Sequence, residues 1–168
     1  MKSLILLVSL LFTCDVLANS FSVKIGEPNV DITIPELPQM KMKKHPLASV
    51  KPHLRLMGSS GGYNVSVITP TADKGMTALE CASSRISSLM KRYSLKESQF
   101  QAMKADDKNT FVMYFPLKVD KYVQLNAYLL SAHDGSYCIE VHISKMTQEI
   151  DDVINWHKSF PDARIKSY

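Results

Sequence analysis

Three cysteines occur in the chain, and their positions restrict its fold more than any other feature. Cys14 lies inside the opening stretch MKSLILLVSLLFTCDVLANS. There Lys2 gives a positive start, and Leu4 to Phe12 is an apolar run too short to span a bilayer as a mature helix. Val16-Leu17-Ala18 supplies apolar and small residues at the positions a signal peptidase reads. Residues 1–18 are therefore expected to be an export signal cut after Ala18, and residues 19–168 one globular periplasmic domain. Cys81 and Cys138 then remain as the thiols of an exported chain, and two thiols allow one bridge with one connectivity. Closing a loop of that span stabilises by roughly 4 kcal/mol in the chain-entropy model, less any native strain. Whatever element holds Cys81 must pack on whatever element holds Cys138. Two alternatives compete. A reactive Cys81 thiol beside Glu80 and Arg85 needs a reducing compartment. Lipidation of Cys14 would tether the chain to a membrane, but Thr13 stands where Gly, Ala or Ser is usual.

Loss of the signal leaves about 150 residues, one domain's length and enough to bury a core. Lys2 and Asp15 leave together, so the net charge stays at +4. That balance favours acidic partners or anionic surfaces and does not point to nucleic acid.

Periodicity divides the rest. Phe21, Val23 and Ile25 alternate, as do Val30, Ile32 and Ile34, giving two half-buried strands split by Gly26, Pro28 and Asn29. Pro35 and Pro38 end the second. Leu54 and Leu56, then Tyr63, Val65 and Val67, make strand, loop, strand around the run GSSGG. The spacing predicts a helix starting after residue 77: Thr77 as N-cap, Glu80 completing a capping box, and Leu79, Ala82, Ile86, Leu89, Met90 and Tyr93 in one stripe. FQAM and TFVMYF flank a polar turn, with Pro116 expected to interrupt the second. A further hairpin turns at a loop of His133, Asp134 and Gly135. It sets Val123, Leu125, Ala127 and Leu129 face to face with Tyr137, Ile139, Val141 and Ile143. Cys138, Glu140 and His142 then point to the other face, beside Tyr128 and Leu130, and the helix after residue 77 must cover that face. TQEIDDVINWHKSF reads as a C-terminal helix capped by Thr147, with Ile150, Val153, Ile154 and His157 inward and Trp156 beside them as a packing residue. The tail PDARIKSY is expected to fray. The fold class is thus α+β, an α-β-α sandwich around a mostly antiparallel sheet of about six strands, with one disulfide.

Chemistry is sparse. Gly58-Ser59-Ser60-Gly61-Gly62 fits G-x-S-x-G, but a nucleophile elbow needs a helix straight after the serine, and here a strand follows. A hydrolase using Ser60 with His53 or His133 is the remote reading. The five histidines show no metal-ligand spacing, and the third ligand beside Glu140 and His142 would be the bridged Cys138, so neither metal nor cofactor is expected. The pairs Asp106-Asp107 and Asp151-Asp152 fit a turn and a helix N-terminus. Residues 39–53 are the most basic segment, with Lys41, Lys43, Lys44 and Lys51. They read as a solvated connector or as a docking surface for an acidic partner.

Two amino-terminal strands ending in ITIPELP, then YNVSVITPTADKGMTALECASSRISSLMKRY, a four-strand meander and a C-terminal helix follow a known order. It resembles the PsbP-like α-β-α sandwich of the photosystem II oxygen-evolving-complex extrinsic subunits and their bacterial relatives. The resemblance covers most of the mature chain and is one of element order, so it implies no site residues. It does imply a non-catalytic protein that binds partner proteins. The bridge and the basic 41–53 segment depart from that plan. The leading expectation is a non-enzymatic periplasmic protein-binding module, in concrete form an immunity or inhibitor protein against an envelope-acting toxin, with Lys41, Lys43, Lys44 and Lys51 as its contacts. The alternative is an envelope assembly or stress factor holding a lipid or small apolar ligand between helix and sheet.

Overall fold

In the computed structural model, residues 20–168 are described; the expected leader, its cleavage site and Cys14 lie outside the described residues. The alternating segments form the expected hairpins. β1 (Phe21–Gly26) pairs antiparallel with β2 (Asn29–Ile34). β4 (Leu54–Ser60) pairs with β5 (Tyr63–Ile68), and a two-residue strand β3 (Lys43–Lys44) lies along the outside of β4. The meander follows: β6 (Gln101–Lys104), β7 (Phe111–Val119), β8 (Tyr122–His133) and β9 (Tyr137–Thr147). These join in one antiparallel seven-stranded sheet of order β3-β4-β5-β9-β8-β7-β6.

The architecture is the expected antiparallel α+β one, but its strands number ten among the described residues and divide between two sheets. The second sheet, β1-β2-β10, exists because the tail does not fray. Arg164–Ser167 forms β10 and pairs with β2, Ile165 opposite Ile32. Ala163 and Ile165 are buried, and that burial offsets the cost of ordering a chain end. Phe21, Ile32, Ile34 and Ile165 of this small sheet meet Val65, Leu129, Val141 and Ile143 of the large one in the main core.

The other face of the large sheet carries α1 (Ala78–Tyr93). Thr77 and Glu80 form the capping box, with the Glu80 amide donating to the Thr77 hydroxyl and the Thr77 amide to the Glu80 carboxylate. The buried stripe is narrower than the spacing suggests. Cys81, Ala82 and Leu89 are buried and Ile86 packs beside them, while Leu79 is 56% exposed. Beneath lie Met113, Phe115, Tyr128 and Leu130. The Cys81–Cys138 disulfide is formed, with Cα atoms 5.7 Å apart, so the one permitted bridge pins the start of α1 to β9.

Three further expectations are corrected. The C-terminal helix α2 (Ile150–Asn155) is short, with Glu149 at its N-cap. Thr147 is still the last residue of β9, where its hydroxyl accepts from the Glu149 amide and donates to Asp152. Ile150, Ile154 and His157 are exposed, and Trp156 and Phe160 turn inward instead, because a 3-10 turn at Trp156–Lys158 shifts the periodicity. The β8–β9 loop is Asp134-Gly135-Ser136, one residue later than expected. The pairing sets are unchanged: Leu129 faces Val141 and Ala127 faces Ile143. Finally, β7 runs through Pro116, which β6 does not reach, since their pairing stops at Tyr114. A missing N–H on that open side breaks no ladder bond. Among the described residues no helix is long and apolar enough to cross a membrane.

Candidate functional site

The run GSSGG is the turn of the β4–β5 hairpin. Gly61 and Gly62 have φ of +57° and +81°, a left-handed pair that only glycine adopts without strain, and Ser60 lies opposite Tyr63. Just before the turn, Gly58 determines where the basic segment goes. A Cβ there would stand 2.7 Å from Met42 Sδ and 3.1 Å from the Lys41 carbonyl. The bare glycine therefore lets 41–44 lie against β4 as β3, with Lys43 opposite Met57 and Lys44 opposite Leu56.

This seats three of the four candidate lysines together. Lys41, Lys43 and Lys44, with Pro46, Met57, Gly58, Ser59 and Asn64, line a groove of about 440 Å³. Lys51 stands apart, in a turn where its amide donates to the Leu47 carbonyl, near the other end of β4. From Leu37 to Ala72 the sequence holds four lysines and Arg55 and no aspartate or glutamate. None of the four lysines is in an ion pair among the described residues. All four are exposed, so the edge presents unneutralised positive charge to solvent. The absence of carboxylates over this stretch is a signal readable from sequence that net charge alone conceals.

A second polar locus, missed by sequence reasoning, lies on the helix side of the sheet. The Asn126 amide donates to the carbonyls of Phe115 and Gln124, and its Oδ1 sits 3.0 Å from His142 Nε2. His142 stacks on Tyr128 with ring centres 4.4 Å apart. From α1 the Arg85 guanidinium lies 4.9 Å above the Tyr128 ring, and its Nε is 3.0 Å from Glu140 Oε2. That contact is an ion pair without an aligned hydrogen bond. Removal from water, and then Arg85 and Arg92, push the His142 pKa down to about 4. Removal from water raises that of Glu140 against the pull of Arg85. Across the sheet the Trp156 indole donates to the Asn126 carbonyl at 2.9 Å. Every one of these polar groups binds another element, which is the work of a structural network.

The remaining candidates separate. His53 adjoins the far end of the hairpin, its carbonyl accepting from the Thr69 amide, whereas Ser60 is at the turn. At ~3.3 Å per strand residue the two are roughly 20 Å apart. His133 is buried at the Tyr137 end of β9, while Tyr63, the partner of Ser60, faces Lys145 at the other. Neither of these two candidate bases reaches Ser60. Cys138 is bridged, and no group of three or more His, Cys, Asp or Glu that could hold a metal ion occurs among the described residues. The apolar opening between α2 and the sheet, lined by Tyr114, Phe115, Leu125, Val153 and Trp156, holds about 160 Å³. That falls well below the ~300 Å³ at which small-molecule pockets begin.

No family model and no curated protein matches the chain. Among solved structures it is similar to the solution structure of cyanobacterial PsbP (CyanoP) from Synechocystis sp. PCC 6803, with a TM-score of 0.57 over 90% of this chain and 94% of that one. The order of elements that suggested a PsbP-like plan is thus matched in three dimensions, and at 13% identity what the two chains share is the fold.

Proposed function

We propose that this chain is an exported, non-enzymatic module that binds an acidic surface of another protein. In its concrete form it is a periplasmic immunity or inhibitor protein that neutralises an envelope-acting toxin. The observation that carries this reading is the carboxylate-free edge, where Lys41, Lys43 and Lys44 share one groove and form no ion pair among the described residues. Long-range attraction from such an edge speeds encounter with an acidic partner and falls with salt. The disulfide supports an oxidising compartment, and hence export by the leader at 1–18. The PsbP-like fold is compatible with a binding role. The test is affinity purification of the tagged full-length protein from its native envelope at low and moderate salt. A stoichiometric acidic protein is expected, with recovery reduced at least tenfold when Lys41, Lys43 and Lys44 are changed together to Glu. Lys51→Glu alone is expected to have a smaller effect, since that residue stands apart. Recovery of no protein partner, or a partner indifferent to the triple change, would overturn the reading.

A further inference from the structure

One residue from each strand forms a straight row across the large sheet: Lys43, Met57, Ser66, His142, Tyr128, Met113 and Ala102, each paired with the next. All point to the helix side. The row begins under α1, which packs on Met113 and Tyr128 and whose arginines act on His142; from half-buried Ser66 through exposed Met57 to Lys43 at the edge no helix covers it. A parallel row of Ser59, Asn64, Ser144 and Asn126 lies beside it. Strands are ~4.8 Å apart, so β3 to β8 spans roughly 19 Å. A helix with its side chains is ~10–12 Å across. Next to α1 there is therefore room for one more helix-sized body, and nothing described fills it. Met57 is 40% exposed and Met146, on the same face, 44%.

The floor of this trough is uncharged, made of Met57, Ser59, Asn64, Ser66 and His142. Lys43 stands on one bank, and α1, the other bank, carries Arg92 in its last turn, whose charge acts on His142. Glu140, on the same face, is already paired with Arg85. Removal from water is the main cause of the depressed His142, and the further push from Arg85 and Arg92 is a second sign of positive field over this face.

Resting on the protein-binding reading above, we propose that the trough between α1 and β3 is the docking slot, and that its occupant is a helix-sized acidic segment of the partner protein. Carboxylates on the two flanks of that segment meet Lys43 and Arg92, and its narrow polar underside lies on the serines and Asn64.

The probe is a blocked alanine-based helical peptide carrying glutamates on two faces, with its glutamine analogue as control, titrated at low salt into the isotopically labelled mature protein. Amide shifts are expected at Ser59, Asn64, Ser66 and His142, and not with the glutamine peptide. Lys43→Glu and Arg92→Glu should each weaken binding at least threefold. Ser66→Trp, which fills the floor without changing charge, should abolish it while the amide spectrum elsewhere stays native. Asn64→Trp gives a second steric test should Ser66→Trp fail to fold. Shifts confined to 41–46, with Arg92→Glu and the folded tryptophan variants binding normally, would overturn the slot and leave the basic edge standing. Binding to anionic phospholipid vesicles and not to the peptide would overturn it as well. If neither probe binds, the slot is refuted, while the envelope purification separately decides the fate of the wider reading.

Discussion

His142 sits with its ring on Tyr128 and one nitrogen against Asn126, under two arginines of α1. Folding holds it neutral, with a pKa of about 4 against 6.5 for the free side chain. A base whose folded pKa is depressed contributes stability that is complete above the unfolded value and is lost as pH falls through that window. The protein is therefore expected to lose on the order of 2–3 kcal/mol between pH 6.5 and 4 from this residue. Glu140 works in the opposite sense, since its raised pKa makes protonation favour the folded state at low pH. Urea midpoints measured across this range should fall steeply for the native protein and flatten for His142→Gln. A parallel decline in both would show that the loss arises elsewhere. Sequence periodicity placed Cys138, Glu140 and His142 on the helix side correctly, because alternation in a strand is strict. It could not show Asn126 as their hub, or Trp156 donating to its carbonyl from the other face. Those contacts join residues 11, 16 and 30 apart by neither period nor motif.

Among the elements, those legible in the sequence were the ones whose pattern is local: the alternating strands, the capping box of α1, and the pairing sets of β8 and β9. What escaped were elements made by tertiary context. β10 has only Ile165 as an inward residue, and four residues with one apolar position carry no period. Its existence follows from the free edge of β2. Ile165→Ala is expected to cost roughly 2–4 kcal/mol, the usual range for a buried large-to-small change, and to release the 164–167 amides to exchange. Retained protection there would refute the strand's dependence on this contact. The β8–β9 turn gives a second test. Asp134 and Gly135 have φ of +51° and +59°, and a Cβ on Gly135 would stand 2.8 Å from the Gly75 nitrogen, whose amide donates to the Gly135 carbonyl. Gly135→Ala should therefore destabilise by about 1–3 kcal/mol, seen as a melting point lowered by several degrees. An unchanged melting point would mean that the Gly75 loop yields freely.

For the molecule as a whole, two cysteines foretold the layering. A helix tied to β9 by its first turn can only lie on one face of the sheet, and the second sheet closes the other. The double change Cys81→Ser and Cys138→Ser should lower the unfolding free energy by up to roughly 4 kcal/mol, the loop-closure value, while leaving the α1 packing on Leu130 and Phe115 in place. Denaturant midpoints of oxidised and reduced protein that coincide would show the tether to be energetically idle. Composition did not disclose the second sheet, because its three short strands come from opposite ends of the chain.

The margin of the large sheet at β3 carries one further consequence. An open strand border usually invites a neighbouring molecule to extend it, and a narrow compartment packed with copies would favour such chaining. Here that border is only two residues long, and both are lysines. Two copies approaching border to border would press like charges together before any ladder could form. The charge on that border thus opposes pairing of β3 with its own copy.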